Sequence, residues 1–473
     1  MEEFGRRADR SNGHNVHGGP SVPARVVPTP TDRRELRRSI LSLAWPVIVS
    51  NFLQVLATTI DLVMVGRIGV TEVAAVGVGG NIVFFTFTVM IGITSGTIAL
   101  VARAFGARNK READHFLTQS LVAGILLSIP IMLIGLLIPY LLVAPFSPTA
   151  EVQTLSADYT SIIFMSVPFL FVIFIANAAL RAAGDTKTPL LIGIVENVIN
   201  FAINYTLIFG NFGFPALGVR GAAIGTTISY FVGAMLFLGL FIDHRVKVGI
   251  RLERPFANWP TIRRVLRIGL PASAEQFAFQ MGILIWIVFV VSFGEDALAA
   301  HQIGLRIQSF AFMPGLGLSI ASSALVGQNL GAKLPDMAER SARESTKLSI
   351  AVMGAIAAFN FVFAPWIALA FAQPGPAVDL AVLFIRLHAI SIPAVGAFFT
   401  LSGSLRGAGD TKWPLYASLV GTYAVRLPLS WVLGYTLGLG LFGVWIALPV
   451  EYYLRALIIV PRFNSGAWKA TVV

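Results

Sequence analysis

Leu180-Arg181-Ala182-Ala183-Gly184-Asp185-Thr186-Lys187 returns, with one change, as Leu405-Arg406-Gly407-Ala408-Gly409-Asp410-Thr411-Lys412. The second stretch follows the first at an offset of 225, and the same offset joins other landmarks. Ala99-Leu100-Val101 with Phe105-Gly106-Ala107 matches Ala324-Leu325-Val326 with Leu330-Gly331-Ala332. Pro46 matches Pro271, Pro189 matches Pro414, and Gly218-Val219 matches Gly443-Val444. Gly69 and Ala74-Ala75 match Gly294 and Ala299-Ala300. One offset held across landmarks this far apart marks a duplicated unit.

The surroundings of these landmarks are apolar. Of 473 residues, 56% are hydrophobic and 12% charged, whereas a soluble domain carries roughly 25% charge. The mean hydropathy is +0.76. A water-soluble enzyme could not hide that much apolar surface, and a disordered chain would not contain it. The absence of cysteine removes disulfides and thiolate metal sites, and the six His include no HExxH pair. No metal centre, cofactor or nucleic-acid partner is expected; the partners expected are a small-molecule substrate and membrane lipid.

Twelve apolar segments reach the length of about 20 residues needed to cross a bilayer as helix. They run roughly over 39–66, 73–103, 114–144, 153–181, 188–209, 218–242, 264–293, 297–330, 337–371, 377–405, 413–435 and 440–462. They are named spans 1 to 12 below. A β-barrel would show shorter, alternating segments. The expected fold class is therefore all-α integral membrane, with twelve transmembrane helices in two six-helix lobes. Six is even, so both lobes enter the membrane in the same sense and form a parallel repeat. The expected divisions are a disordered tail over 1–38, a first lobe over 39–242, a basic linker over 243–263, a second lobe over 264–462 and a tail over 463–473.

Basic residues set the orientation. On the side of the termini lie 25 Lys and Arg, among them Arg33, Arg103, Lys187, Arg245, Lys333, Lys412 and Arg462; the opposite side has Arg67 and Arg220. Both termini are thus expected to be cytoplasmic, in a multi-pass protein of the cell membrane. The net charge of +11 becomes a topology signal instead of a nucleic-acid footprint.

The two Leu-Arg-x-Ala-Gly-Asp-Thr-Lys loops resemble those of the MATE family of multidrug and toxic compound extrusion transporters. So do Ile60-Asp61-Leu62-Val63-Met64-Val65-Gly66, Ala299-Ala300-His301-Gln302-Ile303 and Val326-Gly327-Gln328-Asn329-Leu330-Gly331. The similarity covers about residues 38–463 and looks closer to the DinF-like and archaeal branches than to the NorM branch. It implies export of organic cations and other amphipathic compounds, coupled to inward H+ or Na+. The protein is expected to function as a monomer.

An ionisable group inside a bilayer is expensive and needs a reason. Asp61 lies about five residues from the far end of span 1, where it can bind Na+ or take up a proton; the family has an acid at the matching place. Its counterpart in the second half is Trp286. In span 5, Glu196, Asn200 and Asn204 recur every four residues, on one helix face, with Asn197 beside them. Their counterparts are Gly421, Val425 and Leu429, so this polarity is confined to the first lobe. In the branch resembled, an Asn and an Asp one turn apart look like Asn200 and Asn204, so Asn204 replaces a carboxylate; Glu196 is the candidate to compensate. Thr226 in span 6 is a further carry-over. These six form the candidate cation-coupling set.

Gln54, Glu275, Gln276 and Gln280 are candidate substrate-binding groups, and Glu275 is equally well read as a buried structural acid. Arg426 and Glu451 share a mid-membrane depth and are expected to form a structural ion pair. Arg306 and Arg386 either bind anions or pair with Glu295, Asp296 or Asp379, and His301 and His388 are expected to make structural hydrogen bonds. Gly-Asp-Thr-Lys lacks the spacing of a phosphate-binding loop and reads as a tight turn. Pro46, Pro271, Pro314, Pro393 and Pro428 fall inside helical runs, where they kink. Antiport by alternating access of the two lobes is the leading function. A flippase of lipid-linked oligosaccharide, or an exporter of anionic metabolites, is the alternative, and no pattern supports a membrane enzyme.

Overall fold

A computed structural model describes residues 32–471 apart from 252, 253 and 255. The expected tail over 1–31 lies outside the described residues. The remainder of that tail is helix: span 1 runs Arg33–Gly66, with the Asp32 side chain accepting from the Arg34 backbone N–H at its start. Among the described residues every regular element is helical.

Among the described residues, ten helices are long and apolar enough to cross a membrane, and a bent pair makes an eleventh. The spans are Arg33–Gly66, Val70–Gly106, Lys110–Leu137, the pair Ala150–Phe164 and Val167–Ala182 bent by 51°, Lys187–Phe209, and Gly218–Ile242. The second half follows with Trp259–Val291, Glu295–Gly331, Pro335–Leu369, Pro376–Gly407, residues 412–436, and Gly440–Asn464. Most helices run a few residues past the apolar segments, because polar end turns stay hydrogen-bonded outside the hydrocarbon. The linker is correspondingly shorter than 243–263, since span 7 already begins at Trp259.

Span 11 is helical throughout but contains two wide π stretches, Val420–Arg426 and Val432–Thr436, on either side of Pro428. A proline offers no N–H to the preceding turn, and a widened turn absorbs that loss.

The repeat is visible as reciprocal contacts. A Cβ on Gly106 would stand 1.9 Å from the Gln328 carbonyl oxygen, and one on Gly331 would stand 2.0 Å from that of Arg103. Arg103 and Gln328 are themselves counterparts in the repeat. Likewise Gly92 faces Gly269 and Ser273 while Gly317 faces Ala44 and Ile48. The Arg103 guanidinium donates to Ala408 O and the Gln328 amide to Ala182 O. The two lobes therefore meet about an approximate two-fold axis between spans 2 and 8, at the ends that carry the termini.

The lobes also exchange their first helices. Leu36, Ile40, Leu43 and Ala44 of span 1 pack on Leu318, Ala321 and Leu325 of span 8 in the other half. Val265 and Ile268 of span 7 join the core of the first lobe. Beyond Pro46 and Pro271 each helix returns towards its own lobe.

Both Gly-Asp-Thr-Lys stretches are tight turns, as expected. Gly184 and Gly409 have φ of +74° and +85°, and the next N–H bonds back to Leu180 O and Leu405 O at 2.8 Å. At the lobe contact, Gly106→Ala and Gly331→Ala are each expected to cost about 1–3 kcal/mol by overpacking, and to comparable extents. Thermal midpoints of the purified protein check this; two unchanged midpoints would mean a looser contact than described.

Candidate functional site

Asp61 lies in the half of span 1 that has returned to its own lobe. Its Oδ1 accepts from Asn204 Nδ2 at 2.8 Å. Asn204 also donates to Asn200 Oδ1 at 3.3 Å, and Asn200 meets Thr226 Oγ1 at 3.2 Å. The Asn200 amide fits better turned about, since its nitrogen then donates to Asp61 Oδ1 at 3.0 Å and its oxygen accepts from Thr226. Asp61, Asn200, Asn204 and Thr226 are thus brought into one cluster by spans 1, 5 and 6. The four-residue spacing of Asn200 and Asn204 makes this possible, and Gly225 leaves room, because a Cβ there would stand 2.0 Å from Asn204 Oδ1.

Asn204 is fully buried, and its Oδ1 is a buried acceptor with no partner among the described residues. The cluster offers carboxylate, amide and hydroxyl oxygens and no thiol or imidazole. That is a donor set for a hard cation or for a proton on the carboxylate.

The cluster opens onto a cavity of about 330 Å³, within the range that holds small organic molecules. Its walls come from spans 1, 2, 4, 5 and 6, so it belongs mainly to the first lobe. Residues of spans 8 and 10, including Ser319 and Arg406, complete it. Gln54, Glu196 and Asn197 line the same space, together with Asp61, Asn200 and Thr226. Glu196 is not bonded into the cluster; it packs against Gly233.

Glu275, Gln276 and Gln280 are not among the lining residues. Of the two readings of Glu275, its partners favour the buried structural acid over substrate binding. Both its oxygens accept from Arg406 Nη2, at 2.9 and 2.7 Å, and Oε1 also accepts from Ser418 at 2.9 Å. Its charge is already neutralised.

The second lobe fills the equivalent region with a closed polar core. Glu451 pairs with Arg426, as expected, and also with Arg455, which sequence reasoning did not assign. Thr422 donates to Glu451 at 3.1 Å and accepts from Arg455 at 2.6 Å. The Arg426 guanidinium lies 5.1 Å from the Trp286 ring centre, and Arg455 lies 5.2 Å from that of Tyr452. In the repeat, Glu451 falls on Thr226 and Trp286 on Asp61. An acid at the place of Asp61 would face Arg426; the lobe has instead an indole that donates to Ser430 at 3.1 Å.

His301 and His388 do not make the expected hydrogen bonds. Both ring nitrogens of His301 and Nε2 of His388 are buried without partners among the described residues, the rings standing edge-on to Trp286 and tilted against Phe312. Arg306 and Arg386 are exposed and pair with none of the acids considered; Arg386 lies over the Phe361 ring at 5.7 Å. Sequence reasoning also missed Asn177 and Arg181 as cavity residues; their spacing of four in span 4 was the available signal.

The MatE family model matches this chain twice, over residues 46–206 and 271–432, once in each half. The probable multidrug resistance protein NorM of Thermotoga maritima is 28% identical over 439 residues, covering 93% of this chain and 94% of that protein. The protein given the same name in Rhodopseudomonas palustris is 32% identical over 467 residues, covering 97% of each. These names lend no support to placement nearer the DinF-like branch. A crystal structure of MATE in the bent conformation superposes with a TM-score of 0.85 at 23% identity, over 92% of this chain and 97% of that one. The duplicated family match, the full-length relatives and the twelve-helix, two-lobe fold show that the chain belongs to the MatE family of multi-pass membrane transporters.

Proposed function

We propose that this protein exports amphipathic organic cations, drugs or metabolites, by antiport with H+ or Na+ bound at Asp61, Asn200, Asn204 and Thr226. The observation that carries the reading is the placement of this cluster on the wall of the cavity in the first lobe. A cation there and a substrate in the cavity share residues, so occupancy by one bears on the other. A ligand shifts the balance between two states only through different affinity for them, and a site on three helices of one lobe can supply that difference. Relatives named as multidrug resistance proteins support the substrate class.

The excess of Lys and Arg on the side of the termini supports a cytoplasmic position for both ends. The lobes meet on that side, so the arrangement described is the outward-facing one. The protein works as a monomer, since cavity and cation cluster are complete within one chain.

The test is efflux of a fluorescent organic cation from liposomes containing the purified protein, with an H+ gradient and a Na+ gradient imposed separately. Efflux driven by one gradient is expected and identifies the ion. No movement under either would overturn the reading and turn attention to lipid-linked or anionic substrates.

A further inference from the structure

The internal repeat allows each polar group of one lobe to be compared with its counterpart in the other. We propose that Arg181, with Ser50 and Gly193, forms an anion subsite at the floor of the cavity that receives the carboxylate of an amphipathic zwitterionic substrate. The inference rests on the export reading and specifies its substrate class.

Arg181, in the last turn of span 4, is the counterpart of Arg406. Arg406 is held by Glu275, which Ser418 in turn supports. By the same correspondence, Glu275 falls on Ser50 and Ser418 on Gly193. The first lobe thus keeps the cation and lacks both the acid that neutralises it in the second and the hydroxyl that supports that acid. Arg181, Ser50 and Gly193 all line the cavity. A Cβ on Gly193 would meet nothing within 4 Å, so the space that Ser418 fills on one side is open on the other. Arg181 Nε is buried without a partner among the described residues, and no described carboxylate pairs with the guanidinium. An unpaired buried donor is costly, and the planar fork of arginine matches a carboxylate. The cavity therefore holds the imprint of a carboxylate that the chain itself does not provide.

Glu196 supplies the other pole. It lines the cavity three residues beyond Gly193, about 4.5 Å along the helix, and has no hydrogen-bond or ion-pair partner among the described residues. One free acid thus stands above one free guanidinium. An apolar molecule carrying both a cationic nitrogen and a carboxylate satisfies both groups, whereas a simple cation leaves Arg181 unpaired.

Rhodamine B, with its free benzoate, and its methyl ester differ only in that anion. Fluorescence anisotropy titrations of both dyes with the full-length protein in lipid nanodiscs give the ratio of the two dissociation constants. Arg181→Gln is expected to lower the preference for the acid over the ester by about tenfold or more. Ser50→Glu is expected to do the same with Arg181 retained, because it provides the carboxylate that Arg406 already has. Agreement of the two variants separates loss of the subsite from misfolding of either. A ratio within about twofold of the original in both variants overturns the subsite while leaving the export reading intact. Failure of the unaltered protein to bind either dye overturns the export reading, and the subsite with it.

Discussion

Asp61→Asn is expected to abolish gradient-driven efflux while leaving the protein folded. The substitution is isosteric, and an amide oxygen can still accept from Asn204 at the 2.8 Å position. What disappears is the charge. The three polar neighbours of Asp61 in the cluster, Asn200, Asn204 and Thr226, are neutral. A neutral cluster has no carboxylate to take a proton and no anion to hold Na+. A charge-assisted contact is worth roughly 1.5–3 kcal/mol, so about 10–100-fold in ion affinity is lost with it. Coupling needs a difference in ion affinity between the two states, and that difference shrinks with the affinity itself. The liposome assay should show efflux that no longer responds to the driving gradient, with dye binding still measurable. Full coupling in the variant would move the ion site to Glu196, the remaining acid on the cavity wall.

The largest effect on stability is expected from Glu451→Ala. Glu451 is fully buried between Arg426 and Arg455, each of which is also nearly fully buried. Among the described residues, removal of the shared acid leaves two guanidinium groups in the core with Thr422 and aromatic faces to meet them. Breaking a buried pair in this way costs about 3–5 kcal/mol, comparable to much of the net stability of a fold. The expected result is a large fall in the thermal midpoint or loss of folded protein on purification. Glu451→Ala combined with Arg455→Met should recover part of that loss, because one uncompensated charge is then removed as well. Equal midpoints for Glu451→Ala and the unaltered protein would show that the three charges are solvated and not a closed core.

The architecture was legible because it rests on two coarse signals. Apolar length marks a membrane helix without any knowledge of packing, and the repeat offset survives wherever a turn or a close contact demands small residues, as at Gly184 and Gly409 or Gly106 and Gly331. The polar cluster around Asp61 was legible for a different reason. Asn200 and Asn204 share a helix face by periodicity, and Asp61 is an acid in an apolar run, so each stood out against its background. Glu275 stood out equally, but its spacing left substrate binding and a structural role both open. Its partner Arg406 sits far along the chain, in a turn motif that gave no hint of reaching back into the bundle. Arg455 was passed over because its four-residue spacing from Glu451 lies within one helix and was overshadowed by the longer-range match of Glu451 with Arg426. The π stretches of span 11 were invisible, since they follow from how Pro428 is accommodated and not from its presence.

The exchange of first helices between the lobes has a consequence for biosynthesis. Ile40 of span 1 packs in one cluster with Leu325 of span 8, so most of the chain must be made between the two. A ribosome adds about 5–20 residues per second, so the start of span 1 waits roughly 15–60 s in the bilayer before its partner is made. The first segment to enter the membrane is therefore among the last to find its seat. A nascent chain halted after span 6 contains all four residues of the Asp61 cluster but has no seat for the first half of span 1, whose apolar face is left to the lipid.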